Sequence, residues 1–428
     1  MNLHLQSSIV KPQSSIKITG SKSETNRLLL LQALYPNLQL ENTSVSDDSE
    51  VMTQALEVNT KLETLNSEPI NIYHAGTAMR FLTAYFAIKE GSEIVLTGSP
   101  RMKERPIKIL VDALKQLGAN IEYVENYGYP PIKITGKKLL HNKVSLPANV
   151  SSQYISALLL IAPKLENGLE LLLEGEITSM PYINMTLGLL NEIEVKTSFV
   201  KNKITVNQKS EIVNHQSTIE SDWSSASYYY SIIALSEIGT QITLSSYKEN
   251  SLQGDAALVE IYKNFGVATT FNNNNSITIL KKYLHNSQLS TRNFKLNNSP
   301  DIAQTIAITC FGLGISCNLT GLHTLKIKET DRLLALETEL TKLGATISVT
   351  NDSLNLQSHS LFSSTTFSPL ERCPKDRVET YQDHRMAMAF APLALKTSLI
   401  IENAEVVSKS YPTFWEDLKN IGFQISEI

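Results

Sequence analysis

Apolar and polar positions along the chain repeat one theme: an amphipathic helix, a turn carrying glycine, then a strand of alternating apolar residues. The theme is plain in IKILVDALKQLGANIEY around Gly118 and in DAALVEIYKNFGVATTF around Gly266. It returns in RLLALETELTKLGATISV around Gly344 and in FWEDLKNIGFQISEI around Gly422. Each glycine falls where a helix end favours a left-handed residue, a conformation glycine adopts without steric cost. The interval from Gly266 to Gly344 is 78 residues, and so is that from Gly344 to Gly422. Gly118 and Gly266 lie 148 residues apart, close to two such intervals, and MTLGLLNEIEVKTSF supplies a weaker copy between them. A further weak copy lies near DSEVMTQALEV.

This pattern predicts six units of roughly 75 residues, too long for a short-repeat solenoid and suited to α/β modules, each with its own helices and small sheet. Three units per half give two domains. A boundary near Glu220–Asp222 divides the repeats evenly, placing residues 21–220 in one domain and residues 221–428, joined by residues 1–20, in the other. A chain of 428 residues with 42% hydrophobic and 19% charged residues has ample material for two cores. Its 38 Lys+Arg against 42 Asp+Glu leave a net charge of −4, which argues against a nucleic-acid or anionic-membrane partner. No apolar run reaches the roughly 18 residues that span a bilayer. The first twenty residues lack a basic stretch followed by an apolar one, so no signal peptide is expected. Cys310, Cys317 and Cys373 form no CxxC pair, which fits a reduced cytoplasm.

Six short segments change the picture, because they place polar and cationic residues at the starts of otherwise apolar helices. GSKSETNR precedes LLLLQALY, AGTAMR opens FLTAYFAIK, and RMKERP opens IKILVDALKQL. SSQY opens ISALLLIA, KETDR opens LLALETEL, and DHR opens MAMAFAPLAL. Small residues at a helix start leave backbone N–H groups open, the helix dipole adds partial positive charge, and Lys or Arg completes an anion site. An acidic protein that gathers Lys22, Arg27, Arg105, Lys328, Arg332 and Arg385 at such places is built for a small, multiply anionic ligand. A polyanion would instead want a continuous basic face. There is no GxxxxGK[ST], GxGxxG or GxSxG. His384 has no second histidine at metal-ligand spacing, which points to a structural or substrate role, and Cys310 in IAITCFGL reads as core.

In this order and at these spacings, GSKSETNR, AGTAMR, LTGSPRMKERPI, SSQY, PDIA, KETDR, DHRMAM and SKSYP resemble the EPSP synthase family over residues 20 to 412. The resemblance implies a two-domain inside-out α/β barrel. Each domain holds three βαβαββ-type units, six in all, and the two are joined by a double crossover and close on substrate. It also implies the transfer of the enolpyruvyl group of phosphoenolpyruvate to the 5-hydroxyl of shikimate 3-phosphate, without metal or other cofactor, by a cytoplasmic monomer.

Carried over by motif position, Lys22, Ser23, Arg27, Ser151, Ser152, Gln153, Ser179, Asp301 and Lys328 would hold shikimate 3-phosphate, with Tyr182 shaping its pocket. Lys22, Gly76, Arg105, Gln153, Arg332, Arg385 and Lys409 would hold phosphoenolpyruvate. Asp301, Glu329 and Lys22 would be the catalytic groups.

This chain departs from the family pattern at a few positions. His74 stands where Asn is usual, Phe81 where Pro is common, and Thr324 where an Asn contact to shikimate is expected. Trp223 stands within the usual small-residue hinge. Glyphosate, the family's zwitterionic inhibitor, is expected to compete with phosphoenolpyruvate here, more weakly than in relatives with Asn and Pro. Two rivals share some of these features. The sister enolpyruvyltransferase acting on UDP-N-acetylglucosamine carries Cys in the loop that here reads GSPRMKERP and Asn where Ser23 stands. A non-catalytic binder of phosphorylated metabolites would lack Asp301 and Glu329.

Overall fold

The computed structural model describes residues 1–6, 13–58, 68–177, 180–283, 291–357 and 376–428. They form two compact units, one of Met1–Thr19 with Glu220–Ile428 and one of Gly20–Ile219. The chain therefore passes between units twice, after Thr19 and after Ile219.

The repeat rests on helix ends. Gly118, Gly266, Gly344 and Gly422 have φ of 101°, 73°, 94° and 116°, inside the left-handed region. The weaker copy shows why it was weaker. Helix Met180–Glu192 ends on Glu194, a non-glycine residue at φ 60°. After four of these turns the next N–H reaches back across the turn. Ala119 donates to the Leu114 carbonyl, Val195 to Leu190, Ala345 to Leu340 and Phe423 to Leu418, so four of these ends share one hydrogen-bonded cap. The copy near DSEVMTQALEV is helix Asp47–Val58, and residues 59–67 after it lie outside the described set.

Each turn feeds a small sheet, and five four-stranded sheets share one topology: a parallel pair of strands followed by an antiparallel hairpin. In the unit of Gly20–Ile219, strand Ile70–Asn71 pairs parallel with Glu93–Thr97, which pairs antiparallel with Ile132–Thr135 and onward to Asn120–Tyr123. With the intervening helices this is a βαβαββ unit. The segment from Lys143–Pro147 to Lys203–Val206 repeats it. In the third sheet of this unit the described residues give only a parallel pair, Leu38–Glu41 with His215–Thr218.

The other unit holds three such sheets. The parallel pairs are Gln13–Ile16 with Gln241–Ser245, Arg292–Lys295 with Cys317–Thr320, and Arg377–Val378 with Leu399–Ile401. In the last sheet the hairpin is completed by Leu3–Gln6, inserted between Leu399–Ile401 and Gln424–Glu427. In this unit two sheets thus join both passes of the chain, Gln13–Ile16 entering one as its outer parallel strand and Leu3–Gln6 entering the other as an inner strand.

The cores follow the apolar periodicity. Helix Arg332–Lys342 buries Leu333, Leu336 and Leu340, the spacing of one helical face. Helices Ala303–Leu313 and Trp223–Leu235 are apolar on nearly every side and lie inside their unit. Trp223, expected to interrupt a hinge of small residues, is fully buried and donates its indole N–H to Glu220 at 2.7 Å. Cys310 and Cys317 are both buried as free thiols, while Cys373 lies outside the described residues. No helix among the described residues is long and apolar enough to cross a membrane.

Candidate active site

In the unit of Gly20–Ile219 the candidate residues cluster at three helix starts. Helix Lys22–Leu34 is capped by Ser21, helix Ser152–Ile161 by Ser151, and helix Gly76–Ile88 opens on a residue with no side chain. Gln153 donates from Nε2 to Thr77 Oγ1 at 3.0 Å and so fastens two of these starts together. Arg105 lies over the bare Cα of Gly76: a methyl placed there would sit 2.6 Å from Arg105 Nη1. Buried Arg80 sets this distance, donating to the Gly76 carbonyl at 3.0 Å and to the Pro106 carbonyl at 3.2 Å. Lys22 Nζ lies 3.3 Å from Asp48 Oδ2, and His74 Nε2 lies 3.8 Å from the other oxygen of that carboxylate.

Arg27 is 3% exposed and ties three helices together. It donates to Thr186 Oγ1 at 2.8 Å, to Ser156 Oγ at 3.0 Å and to the Ser23 carbonyl at 2.7 Å. The rings of Phe81 and Tyr182 lie 5.4 and 6.0 Å from its guanidinium carbon. Burial lowers Arg27 to about 10, which still leaves it charged at neutral pH. Ser152 is buried at its helix start and Ser151 is exposed. Ser179 lies outside the described residues.

In the other unit, the candidate residues from PDIA, KETDR and DHR meet around one buried carboxylate. Asp301 Oδ1 accepts from Arg332 Nη1 at 2.8 Å and lies 3.4 Å from Lys328 Nζ, while its Oδ2 lies 3.7 Å from Arg385 Nη2. Arg332, 1% exposed, also binds Glu329 through Nη2 at 2.7 Å and Asp383 through Nε at 2.6 Å and Nη2 at 3.4 Å. These bonds take four of its five N–H groups and leave one on Nη1. Burial alone would lower Arg332, but Asp383, Glu329 and Asp301 outweigh it and hold the guanidinium above its ordinary value. Asp383 also caps helix His384–Phe390, accepting from the Arg385 N–H at 2.8 Å. His384 is buried with Nδ1 3.9 Å from Asp383 Oδ1.

Arg385 donates to the Asp301 carbonyl at 3.4 Å and to Ser224 Oγ at 3.2 Å. Burial opposes its charge, and the neighbouring carboxylates, Asp301 first among them, raise it well above the ordinary arginine value. Lys409 stands apart from this cluster of contacts, donating to the Gln382 carbonyl at 2.7 Å. Thr324 Oγ1 is buried with no hydrogen-bond partner among the described residues.

Asp48, Arg80, Ser224, Asp255 and Asp383 also belong to these two clusters, and the sequence did not single them out. For Asp383 a signal existed, since an Asp directly before an apolar helix is a cap. Asp48, Ser224 and Asp255 gain their meaning only from neighbours far away in the chain, and Arg80 from Pro106 as well as from Gly76 one turn back.

Two groups of buried, charge-assisted contacts therefore surround residues drawn from the quoted motifs. They offer cations for carboxylate and phosphate, and two carboxylates, Asp301 and Glu329, beside them. The sequence profile of the EPSP synthase (3-phosphoshikimate 1-carboxyvinyltransferase) family matches residues 8–418. A Bacteroides fragilis (strain YCH46) protein named 3-phosphoshikimate 1-carboxyvinyltransferase is 43% identical over 415 residues, covering 96% of each chain. One of the same name from Haemophilus influenzae (strain PittGG) is 35% identical over 435 residues, again covering 96% of each. A solved structure of EPSP synthase from Acinetobacter baumannii covers 100% of both chains with a TM-score of 0.78 at 20% identity, a likeness of fold.

Proposed function

The chain belongs to the EPSP synthase family, and from that membership we propose how its residues divide the work. The enzyme transfers the enolpyruvyl group of phosphoenolpyruvate to the 5-hydroxyl of shikimate 3-phosphate and releases phosphate. Carbon 3 of the enolpyruvate gains a proton, the hydroxyl loses one, a tetrahedral intermediate forms at carbon 2, and return of the carbon-3 proton expels phosphate.

The observation that supports this reading best is the Asp301 carboxylate, buried yet surrounded by Lys328, Arg332 and Arg385. Three cations compensate the cost of burying it, and its oxygens are acceptors for a substrate hydroxyl. Asp301 takes the hydroxyl proton. Glu329 is tied to Arg332 through one oxygen, and its side chain is about one-third exposed, so it reaches both the site and solvent and carries the carbon-3 proton. Lys22 donates to the bridging phosphate oxygen. Arg105, Arg332, Arg385 and Lys409 hold phosphoenolpyruvate, with Gly76 giving its carboxylate or phosphate close access to backbone N–H groups. Ser23, Arg27, Ser151, Ser152, Ser179 and Lys328 hold shikimate 3-phosphate, and Gln153 serves both ligands. Three of the five Arg27 N–H groups go to Ser23, Ser156 and Thr186 and fix its guanidinium in place, leaving one on each terminal nitrogen. The protein works as a cytoplasmic monomer.

The test is phosphate release from purified protein given both substrates, with chelator present. Release that requires shikimate 3-phosphate is expected. Release with UDP-N-acetylglucosamine in its place, or none with either acceptor, would refute the assignment.

A further inference from the structure

A second carboxyl lies beside the Asp301 cluster and makes no contact with its lysine or arginine N–H groups. Asp255, 8% exposed, lies in the first turn of the short helical segment Gly254–Ala257. Its Oδ2 accepts a short hydrogen bond from Ser224 Oγ, and the same Ser224 oxygen accepts from Arg385 Nη2 at 3.2 Å. A hydroxyl has one proton to give and lone pairs to receive. With its proton committed to Asp255, the Ser224 oxygen turns a lone pair to Arg385. The opposite side of the guanidinium is fixed by the Asp301 carbonyl at 3.4 Å.

We propose that Asp255 is a positioning residue for phosphoenolpyruvate binding, acting through Ser224 to aim the Arg385 guanidinium. The inference rests on the reading of Arg385 as a phosphoenolpyruvate ligand. It also gives the relay a setting. Burial, and then the negative charge of Asp301, push Asp255 up to about 7, while Arg385 and the Ser224 hydrogen bond pull the other way and Asp222 adds to the rise. When Asp255 is ionised, the Ser224 proton is drawn toward it and the oxygen is a stronger acceptor for Arg385. When it is protonated, the carboxyl competes as a donor and the relay slackens.

Asp255→Asn keeps the side chain's shape and removes its charge, and Ser224→Ala removes the bridge. Initial rates are measured with each substrate varied at saturation of the other, between pH 6 and pH 8.5. Each variant should raise KM for phosphoenolpyruvate about tenfold, the effect of one weakened charged hydrogen bond. KM for shikimate 3-phosphate should stay within twofold. The double variant should be no worse than either single one, as members of one relay are not additive. The ratio of KM values, Asp255→Asn to natural protein, should grow as pH rises through 7.

A phosphoenolpyruvate KM unchanged in both variants would overturn the proposal, as would equal rises for both substrates with pH profiles parallel to the natural protein. Should Ser224→Ala fail to fold, the Asp255→Asn profile decides alone. A natural protein that does not turn over the two substrates would end the functional assignment and this inference together. Failure confined to the variants would end only the inference.

Discussion

Gly76→Ala tests the closest approach in the proposed phosphoenolpyruvate site. The added methyl would lie 2.6 Å from Arg105 Nη1 and 3.1 Å from Cζ and Nη2. Ordinary contact needs roughly 3.5 Å, so the guanidinium tip must move about 1 Å. The backbone cannot retreat instead, because Arg80 holds both the Gly76 and Pro106 carbonyls. A charge-assisted hydrogen bond displaced by that much forfeits about 1.5–3 kcal/mol, or about 10- to 100-fold in kcat/KM for phosphoenolpyruvate. Stability should move little: Gly76 is helical without positive φ, and alanine in a helix gains about 0.5–1 kcal/mol over glycine, roughly cancelling the contact. The assay is phosphate release with phosphoenolpyruvate varied at saturating shikimate 3-phosphate, beside a thermal melt. The reasoning is refuted if kcat/KM falls less than threefold, or if it falls together with a large drop in melting temperature.

Lys22→Ala and Arg105→Ala should each abolish most turnover while shifting the melting temperature by no more than a few degrees, since both are polar contacts at the surface of their unit; a variant that unfolds early with turnover intact would contradict this. Lys281 is buried, donates to the Ala234 and Phe265 carbonyls, and is lowered to about 8 by burial. Between about 8 and 10.5 the unfolded chain holds a proton the native protein has released, so this group adds stability as pH rises and loses it as pH falls through 8. Lys281→Met should remove that slope; urea midpoints at pH 7.5 and 9.5 that change alike in both proteins would show that Lys281 is not its source. His74→Asn should leave Asp48 to Lys22 alone and tighten competitive inhibition by glyphosate; identical inhibition constants at pH 6 and pH 8 in both proteins would remove His74 from the matter.

Helix ends were the most legible part of the fold, because a left-handed cap selects glycine strongly enough to leave a periodic mark. Where Glu194 fills the same position, the backbone keeps the repeat and the sequence blurs it. The parallel pairing of Leu38–Glu41 with His215–Thr218 left no local trace, since its partner lies across the whole unit. The site divides in the same way. Lys328, Arg332 and Arg385 stand out as cations before apolar helices, a pattern within a few residues. Asp255 looks like any first-turn acid in SLQGDAAL until Ser224 and Arg385 are seen beside it. The role expected of Arg27 met a different surprise: its burial against Thr186 and Ser156 depends on helices far away in sequence.

The strand Leu3–Gln6 lies third in a sheet whose other members end at Glu427. On a ribosome it emerges well before its neighbours Leu399–Ile401 and Gln424–Glu427 and must wait for them to be made. Leu3 and Leu5, buried in the finished protein, stay uncovered until then. The segment Gly20–Ile219 has no such debt, because among the described residues every strand pairing in it closes by Thr218. Synthesis therefore completes the pairings of Gly20–Ile219 while Leu3–Gln6 still waits, and the sheet of the other unit closes only when Gln424–Glu427 joins it.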